Sequence, residues 1–529
     1  MSKRLSESKR EGDAGAMNVT ETSIVKESKE ENVVVERKAG RSMSAELEAR
    51  KQAMLDEPSK GYYAILILCS LASLPLRAEV YDMMALELEI EKGYGISTMQ
   101  YTFLFLAYYA ASIITGMFIG FIADACGRRP VLIILYTINV LGFSINLLSA
   151  VYKSYTLLVI GRLAAGLVVE SIIPILDDIV SDYSGKAQAC SLSVRFSTGQ
   201  FGMVLTLMFV PMVYNIRQSL LDAFTYMEAL VLFGFVLSFV IIFIDSKARQ
   251  PRELATCATV RQIPGLLIFS TISATLSAGA VMGFSAFMIG YTRIIEGWGI
   301  QMANLFFCIM IVTNFILCPL LGILIDKFGY QSLFLIIGNA LNCISFVLFA
   351  YAPFCNQCGY ILLPQTIQSF GQIFITPSSI SMIPLLAPPN LRTFCFSIYR
   401  TLFAFWMKVF TVLARVMHDV AQFRMQGYYW MAMFLLFAEL LAFVMLVVVM
   451  VIDCFGDKLL ASKKSRVAMM DAAKKAAAKD LEEKQKLNPS IPELPPSKEA
   501  AKEPFPDAKM PDSEQKMEIG ESTDTKKNR

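Results

Sequence analysis

The residues best placed to do chemistry are acids and bases set inside long apolar runs. The stretch Tyr155–Val180 is otherwise apolar yet carries Arg162, Glu170, Asp177 and Asp178. The next run carries Arg195, and an earlier one carries Arg77, Glu79 and Asp82. Glu228, Arg400, Lys408 and Glu439 sit in later runs. An ionised group inside an apolar helix is unfavourable by several kcal/mol unless it meets a partner or a watery cavity. Such groups close structural ion bridges, hold a charged solute or pass a proton. At about 1.5 Å per residue, Arg195 lies roughly 14 Å and Glu170 roughly 18 Å from one membrane face, so they are expected to pair. That pair reads equally as a solute site or as a structural bridge. Asp82 and Glu170 are the carboxylates available for proton coupling.

The elements that must carry these groups are membrane helices. The 529 residues are 55% hydrophobic and only 18% charged, with mean hydropathy +0.51. Soluble domains hold about 25% charged residues. The net charge of +3 says little, because the charges gather at the two ends and in loops. The apolar runs are continuous rather than alternating, which excludes a β-barrel. Crossing the apolar layer takes about 20 residues. Twelve runs qualify: Gly61–Met84, Met99–Asp124, Pro130–Val151, Tyr155–Val180, Ala187–Val213, Leu220–Ile244, Pro264–Ile289, Met302–Ile325, Ser332–Tyr351, Gly359–Leu386, Phe394–Met417 and Tyr429–Ile452.

Lysine and arginine counts orient the chain with both termini in the cytosol. This places Arg128, Arg129, Lys186, Lys247, Arg249, Arg252, Arg261, Lys327 and Arg392 inside. The expected organisation is a disordered tail over residues 1–59, a six-helix half over 60–245 and a linker over 246–262. A second six-helix half follows over 263–453, then a tail over 454–529 that is partly helical and then disordered. The N-terminal tail holds no cleavable signal peptide, and its residues Ala45–Leu55 suit a surface helix. A basic stretch, Lys458–Arg466, is a solvated charge run or a contact for anionic lipid. The 11 cysteines show no metal-ligand spacing, and the single histidine, His418, builds no zinc set. Cys355 and Cys358, in a short loop, form a disulfide or remain two free thiols. No metal and no cofactor is expected.

One charged turn recurs. Gly120-Phe121-Ile122-Ala123-Asp124-Ala125-Cys126-Gly127-Arg128-Arg129-Pro130 lies between two runs, and Gly322-Ile323-Leu324-Ile325-Asp326-Lys327-Phe328-Gly329 lies between two others. Each reads Gly, three apolar residues, Asp, and Gly three residues later. The glycines let helices approach closely. Asp124 suits the positive N-terminus of a nearby helix. This turn resembles the signature loop of the major facilitator superfamily, which stands between its second and third and its eighth and ninth helices. The resemblance implies an all-α membrane protein of 12 transmembrane helices in two six-helix halves, with a solute site between them. Asp124, Arg128, Arg129, Arg162, Asp177, Asp178 and Asp326 are the expected gating residues. Arg128, Arg129, Asp177 and Asp178 should form one cytosolic cluster, either as a gate or as a structural bridge.

Within the superfamily, Tyr81-Asp82, Gly161-Arg162, Gly166, Glu170-Ser171, Gly185-Lys186, Gly202, Glu296 and Gly299 resemble the lysosomal dipeptide transporter family. That resemblance implies uniport of dipeptides, with the acidic anchor on Glu170. The family's two basic anchor positions fall near Gln200 and Tyr291, and Arg195 stands close by. Glu170, Arg195, Gln200, Asp82, Tyr81 and Tyr291 are the expected substrate-binding residues. The expected function is movement of a small polar organic solute by alternating access, in a lysosomal, endosomal or other vesicular membrane. The expected partners are the small-molecule substrate and the lipid bilayer, with an accessory membrane protein as a further candidate. The transport unit is expected to be a monomer, and no nucleic acid is expected. A proton-coupled symporter of sugars or other solutes, and a non-transporting receptor or scaffold, are the alternatives. No nucleophile–base set marks an enzyme.

Overall fold

A computed structural model describes residues 57–245, 260–261, 263–285, 287–353, 355, 357–420, 424–455 and 460. Residues 1–56, most of the 246–262 linker and nearly all of the final tail, including most of Lys458–Arg466, lie outside the described residues.

The described residues form fourteen α-helices and no strand. They are α1 (Tyr62–Ala85), α2 (Glu87–Tyr94), α3 (Thr98–Cys126), α4 (Arg128–Tyr152), α5 (Tyr155–Ser184), α6 (Gln188–Arg217), α7 (Leu220–Ile244), α8 (Gly265–Ser285), α9 (Met288–Ile295), α10 (Ile300–Phe328), α11 (Gln331–Ala350), α12 (Leu362–Leu386), α13 (Arg392–Val420) and α14 (Arg424–Phe455). α2 and α9 are short, with 8 residues each. The other twelve match the twelve apolar runs. By length and hydropathy ten segments can cross a membrane, one of them the 63-residue stretch Tyr155–Arg217. A 63-residue helix would be about 95 Å long, three bilayer cores, so this stretch is two spans. The turn Gly185–Ala187 divides it into α5 and α6. Gly185 has φ +50°, a conformation that ends α5 and that a side chain resists.

The helices pack as two copies of one arrangement. In the first copy α1 packs on α5, α6 and α7, α5 on α3 and α4, and α4 on α7. In the second copy α8 packs on α12, α13 and α14, α12 on α10 and α11, and α11 on α14. Contacts between copies are paired too: α6 on α10 matches α13 on α3, and α6 on α12 matches α13 on α5. The same packing device serves α4–α5 and α11–α12. A Cβ at Gly161 would lie 2.3 Å from Asn146 Oδ1, and one at Gly371 would lie 2.1 Å from Asn342 Oδ1. Only glycine lets the backbones approach this closely.

Large apolar side chains cover the outside, among them Phe243 at 84% exposure and Phe437 at 68%. On a soluble protein so much exposed apolar surface would drive association. On a bundle whose backbone bonds are satisfied within its helices, it suits hydrocarbon.

Candidate functional site

Two polar layers matter: one at the end of the bundle that carries the start of α1 and the ends of α5 and α7, here called the lower face, and one midway up. At the lower face the two copies of the charged turn do the same job. The Asp124 carboxylate at the end of α3 accepts from the Phe394 N–H in the first turn of α13 (2.7 Å). The Asp326 carboxylate at the end of α10 accepts from the Ala189 and Cys190 N–H groups in the first turn of α6 (2.9 and 2.8 Å). First-turn amides have no partner within their own helix, and the helix N-terminus is positive. Each aspartate therefore caps a helix of the opposite half. The motif glycines make room: a Cβ at Gly322 would lie 2.7 Å from the Cys190 Cα, and one at Gly120 would lie 2.2 Å from the Ser397 Oγ.

Arg128 is buried among carboxylates. Its Nε and Nη2 donate to Asp245 (2.9 Å each), and its Nη1 donates to Asp178 (3.0 Å) and to Asp182. Arg129 donates to the Asp245 carbonyl. Arg392, at the start of α13, donates to Asp182 (2.7 Å) and so ties the second half to the cluster. The expected cluster of Arg128, Arg129, Asp177 and Asp178 is thus altered: Asp177 stands outside it, and Asp182, Asp245 and Arg392 join. Helical geometry explains the change. Asp178 and Asp182, four residues apart, share a face, whereas neighbours such as Asp177 and Asp178 point apart.

Asp177 faces the middle of the bundle. It pairs with Arg195 of α6, and Arg400 of α13 approaches its other oxygen at 4.0 Å. The expected pairing of Arg195 with Glu170 is not formed. α5 continues to Ser184 rather than ending at Val180. Those four extra residues move Glu170 about 6 Å deeper and bring Asp177 to the level of Arg195. Glu170 pairs instead with Arg77 of α1, Nη1 to Oε1 at 3.8 Å.

Above Asp177 lies a void between the halves, partly open to solvent. Arg77, Tyr81, Glu170, Phe196 and Gln200 line it from the first half, and Gln372, Thr376, Tyr399, Arg400 and Phe403 from the second. Three of the six expected substrate-binding residues, Tyr81, Glu170 and Gln200, therefore face the void. Arg195 lies beside it, buried with Asp177. Asp82 points elsewhere: Arg162 grips it through both Nη atoms (2.9 and 3.2 Å) and also reaches the Glu79 carbonyl. The Arg162 guanidinium rests on the Tyr108 ring, 4.8 Å from its centroid. Those partners all belong to the first half. Tyr291 is buried in the second half, where its O–H donates to the Phe349 carbonyl (2.7 Å). Arg77 and Arg400 carry a sequence signal, as charges within apolar runs. Gln372 and Tyr399 carry none, since polar neutral residues are common in buried helix faces.

The Arg162–Asp82 bridge yields a stability prediction. Arg162→Ala leaves a carboxylate, 2% exposed as a residue, without its guanidinium. The expected loss is about 3–5 kcal/mol, read as a lower unfolding temperature in detergent. At the opposite end of the bundle Cys355 and Cys358 are joined by a disulfide. The Glu296 carbonyl accepts from the Gln357 N–H (2.7 Å) and its carboxylate from the Ile361 N–H, which fastens that loop.

Residues 79–407, more than half of the sequence, match the family model of the Major Facilitator Superfamily. The chain belongs to the major facilitator superfamily. No curated protein sequence matches it. Solved structures of superfamily proteins share its fold. A human organic anion transporter, MFSD10, aligns at 14% identity and TM-score 0.57, covering 73% of this chain and 100% of that one. The fucose:proton symporter FucP of E. coli aligns at 16% identity and TM-score 0.55, covering 74% and 99%. A bacterial homologue of the iron transporter ferroportin, solved in an outward-facing state, aligns at 12% identity and TM-score 0.61, covering 73% and 99%. At these identities the likeness is one of fold. As a superfamily member with a membrane-spanning fold, the chain is a multi-pass membrane transporter.

Proposed function

We propose that the protein moves a small polar organic solute by alternating access, as a uniporter, with dipeptides and amino acids among the candidate solutes. One observation carries the proposal: a void between the halves, lined by charged side chains from both. In this reading residues 60–245 and 263–453 move as two bodies, and the lower face is cytosolic, as the lysine and arginine count supports. The ion pairs and helix caps at that face hold it closed while the void receives solute. Asp124, Asp326, Arg128 and Arg392 are the gating groups, and Tyr81, Glu170 and Gln200 contact the solute. The resemblance to lysosomal dipeptide transporters supports a vesicular membrane.

A thermal-shift screen against dipeptides, amino acids and sugars selects the solute, and proteoliposome uptake tests the reading. Glu170→Gln is expected to lower uptake about tenfold or more, because Arg77 then lacks the carboxylate that meets its charge when the void is empty, and about 1.4 kcal/mol is a factor of ten. Deletion of residues 1–55 and 465–529 is expected to leave uptake intact. A receptor or scaffold acting through its tails gives the opposite pair of results. Collapse of an imposed pH gradient leaves uniport unchanged and abolishes a proton-coupled flux.

A further inference from the structure

We infer that the solute is an organic anion, held by its acidic group between Arg77 of α1 and Arg400 of α13. This rests on the transport reading above and names the charge class of the solute.

The charges around the void do not balance. Two guanidinium groups, Arg77 and Arg400, line it against one carboxylate, Glu170. The one ion pair directly beneath, Arg195 with Asp177, is neutral and changes nothing. The five groups together are three cations and two anions, a net charge of one positive unit. All five residues are at most 7% exposed. Arg77, Arg195 and Arg400 are close enough to act on one another electrostatically. Lys408 also lies within electrostatic reach of Glu170. Like charges crowded in a poorly solvated interior are strongly unfavourable unless an opposite charge joins them.

The partners available within the protein are poor. Arg77 meets Glu170 only at 3.8 Å, outside hydrogen-bonding range. Arg400 meets Asp177 only at 4.0 Å, and its buried Nε and Nη2 have no hydrogen-bond partner. The Glu170 Oε2 is likewise without one. A carboxylate entering the void would supply the acceptors that these donors lack. Guanidinium groups suit it, because their planar forks match an oxyanion with two parallel bonds. Arg77 and Arg400 belong to opposite halves, so the same anion would draw the halves together. Phe196, Phe403, Tyr81 and Tyr399 supply an aromatic wall for the rest of the solute. Acidic members of the dipeptide and amino acid classes qualify, whereas amines do not.

Glu170 acquires a definite role. It is the internal anion that occupies Arg77 when the void is empty, and it competes with the solute. Glu170→Gln should therefore tighten binding of an anion while slowing turnover, because Arg77 then has nothing to return to. A site that holds an amino group on Glu170 gives the opposite sign for binding.

The test measures unfolding temperature of the full-length protein against concentration of four probes on related aromatic skeletons. They are phenylacetate, phenylacetamide, phenethylamine and phenylalanine, with inorganic sulfate as a fifth arm. The expected result is stabilisation by phenylacetate above all the others. Arg400→Gln is expected to weaken its apparent affinity about ten- to a hundredfold, and Glu170→Gln to strengthen it. Arg400→Lys, which keeps the charge but loses the fork, should bind more weakly than wild type and serves if Arg400→Gln does not fold. Stabilisation by phenethylamine or phenylalanine equal to that by phenylacetate overturns the inference, as does an unchanged affinity in both Arg400 variants. Sulfate matching phenylacetate overturns the organic part, and failure of phenylacetate to stabilise the wild type overturns the whole. None of these outcomes touches alternating access, which is decided by motion of the halves.

Discussion

Gly322→Val is expected to cut proteoliposome uptake about a hundredfold while leaving the protein folded. A Cβ at this position would lie 2.7 Å from the Cys190 Cα and 2.8 Å from the Ala189 carbonyl oxygen. Both are backbone atoms of α6, in the opposite half, so no side chain can rotate away. The added bulk disfavours the state in which the lower face is closed and spares the state in which it is open. Overpacking of this kind is unfavourable by about 1–3 kcal/mol, and the upper value shifts a two-state population about a hundredfold. Gly120→Val, its counterpart, should act more mildly. Its nearest clash is the Ser397 side chain, and the nearest backbone atom is 3.2 Å away. Gly265→Val is the control, because a Cβ there meets nothing within 4 Å.

Arg128→Ala is expected to be the most destabilising change in the lower layer, by about 3–5 kcal/mol, because three carboxylates share this guanidinium. Asp178 and Asp245 are buried and cannot turn to water. Arg128→Lys should restore only part of the loss. An ammonium cannot donate twice to Asp245 while reaching Asp178 and Asp182. Thermal unfolding and size-exclusion profiles in detergent read both variants. Lys186→Ala, which removes an exposed pair with Glu57, should change the unfolding temperature little. If Arg128→Ala behaves like Lys186→Ala, the cluster contributes nothing to the closed face.

Much of this was legible in the sequence. The repeated Gly–Asp–Gly turn marked two points of close helix approach, and Asp124 a nearby helix N-terminus, because glycine spacing and a lone carboxylate report these directly; that the capped helices belong to the opposite half is a matter of packing. The twelve runs gave the long helices to within a few residues. The void was only partly legible. Charges in apolar runs pointed to Glu170, but not to which charge it meets. Pairing depends on depth and on azimuth, and a four-residue error at the end of α5 exchanged one carboxylate for another opposite Arg195. Asp82 follows the void-lining Tyr81 but turns to Arg162 within the first half, and Tyr291 is held within the second half by the Phe349 carbonyl at the end of α11. The side of a helix that faces the partner half is set by packing, which one sequence does not display. Glu439 shows the same limit. It lies on the last helix and is fully buried within the second half, with Asn342 Nδ2 3.5 Å away.

Alternating access itself is most directly tested by paired distances across the two faces. Spin labels at Cys126 and Tyr330 report the lower face, and labels at Tyr152 and Tyr351, at the far ends of α4 and α11, report the upper. The account predicts two populations in lipid: lower pair short with upper pair long, and the reverse. It also predicts that Gly322→Val moves the balance to the second. A single distance at each pair, unmoved by Gly322→Val, would contradict it.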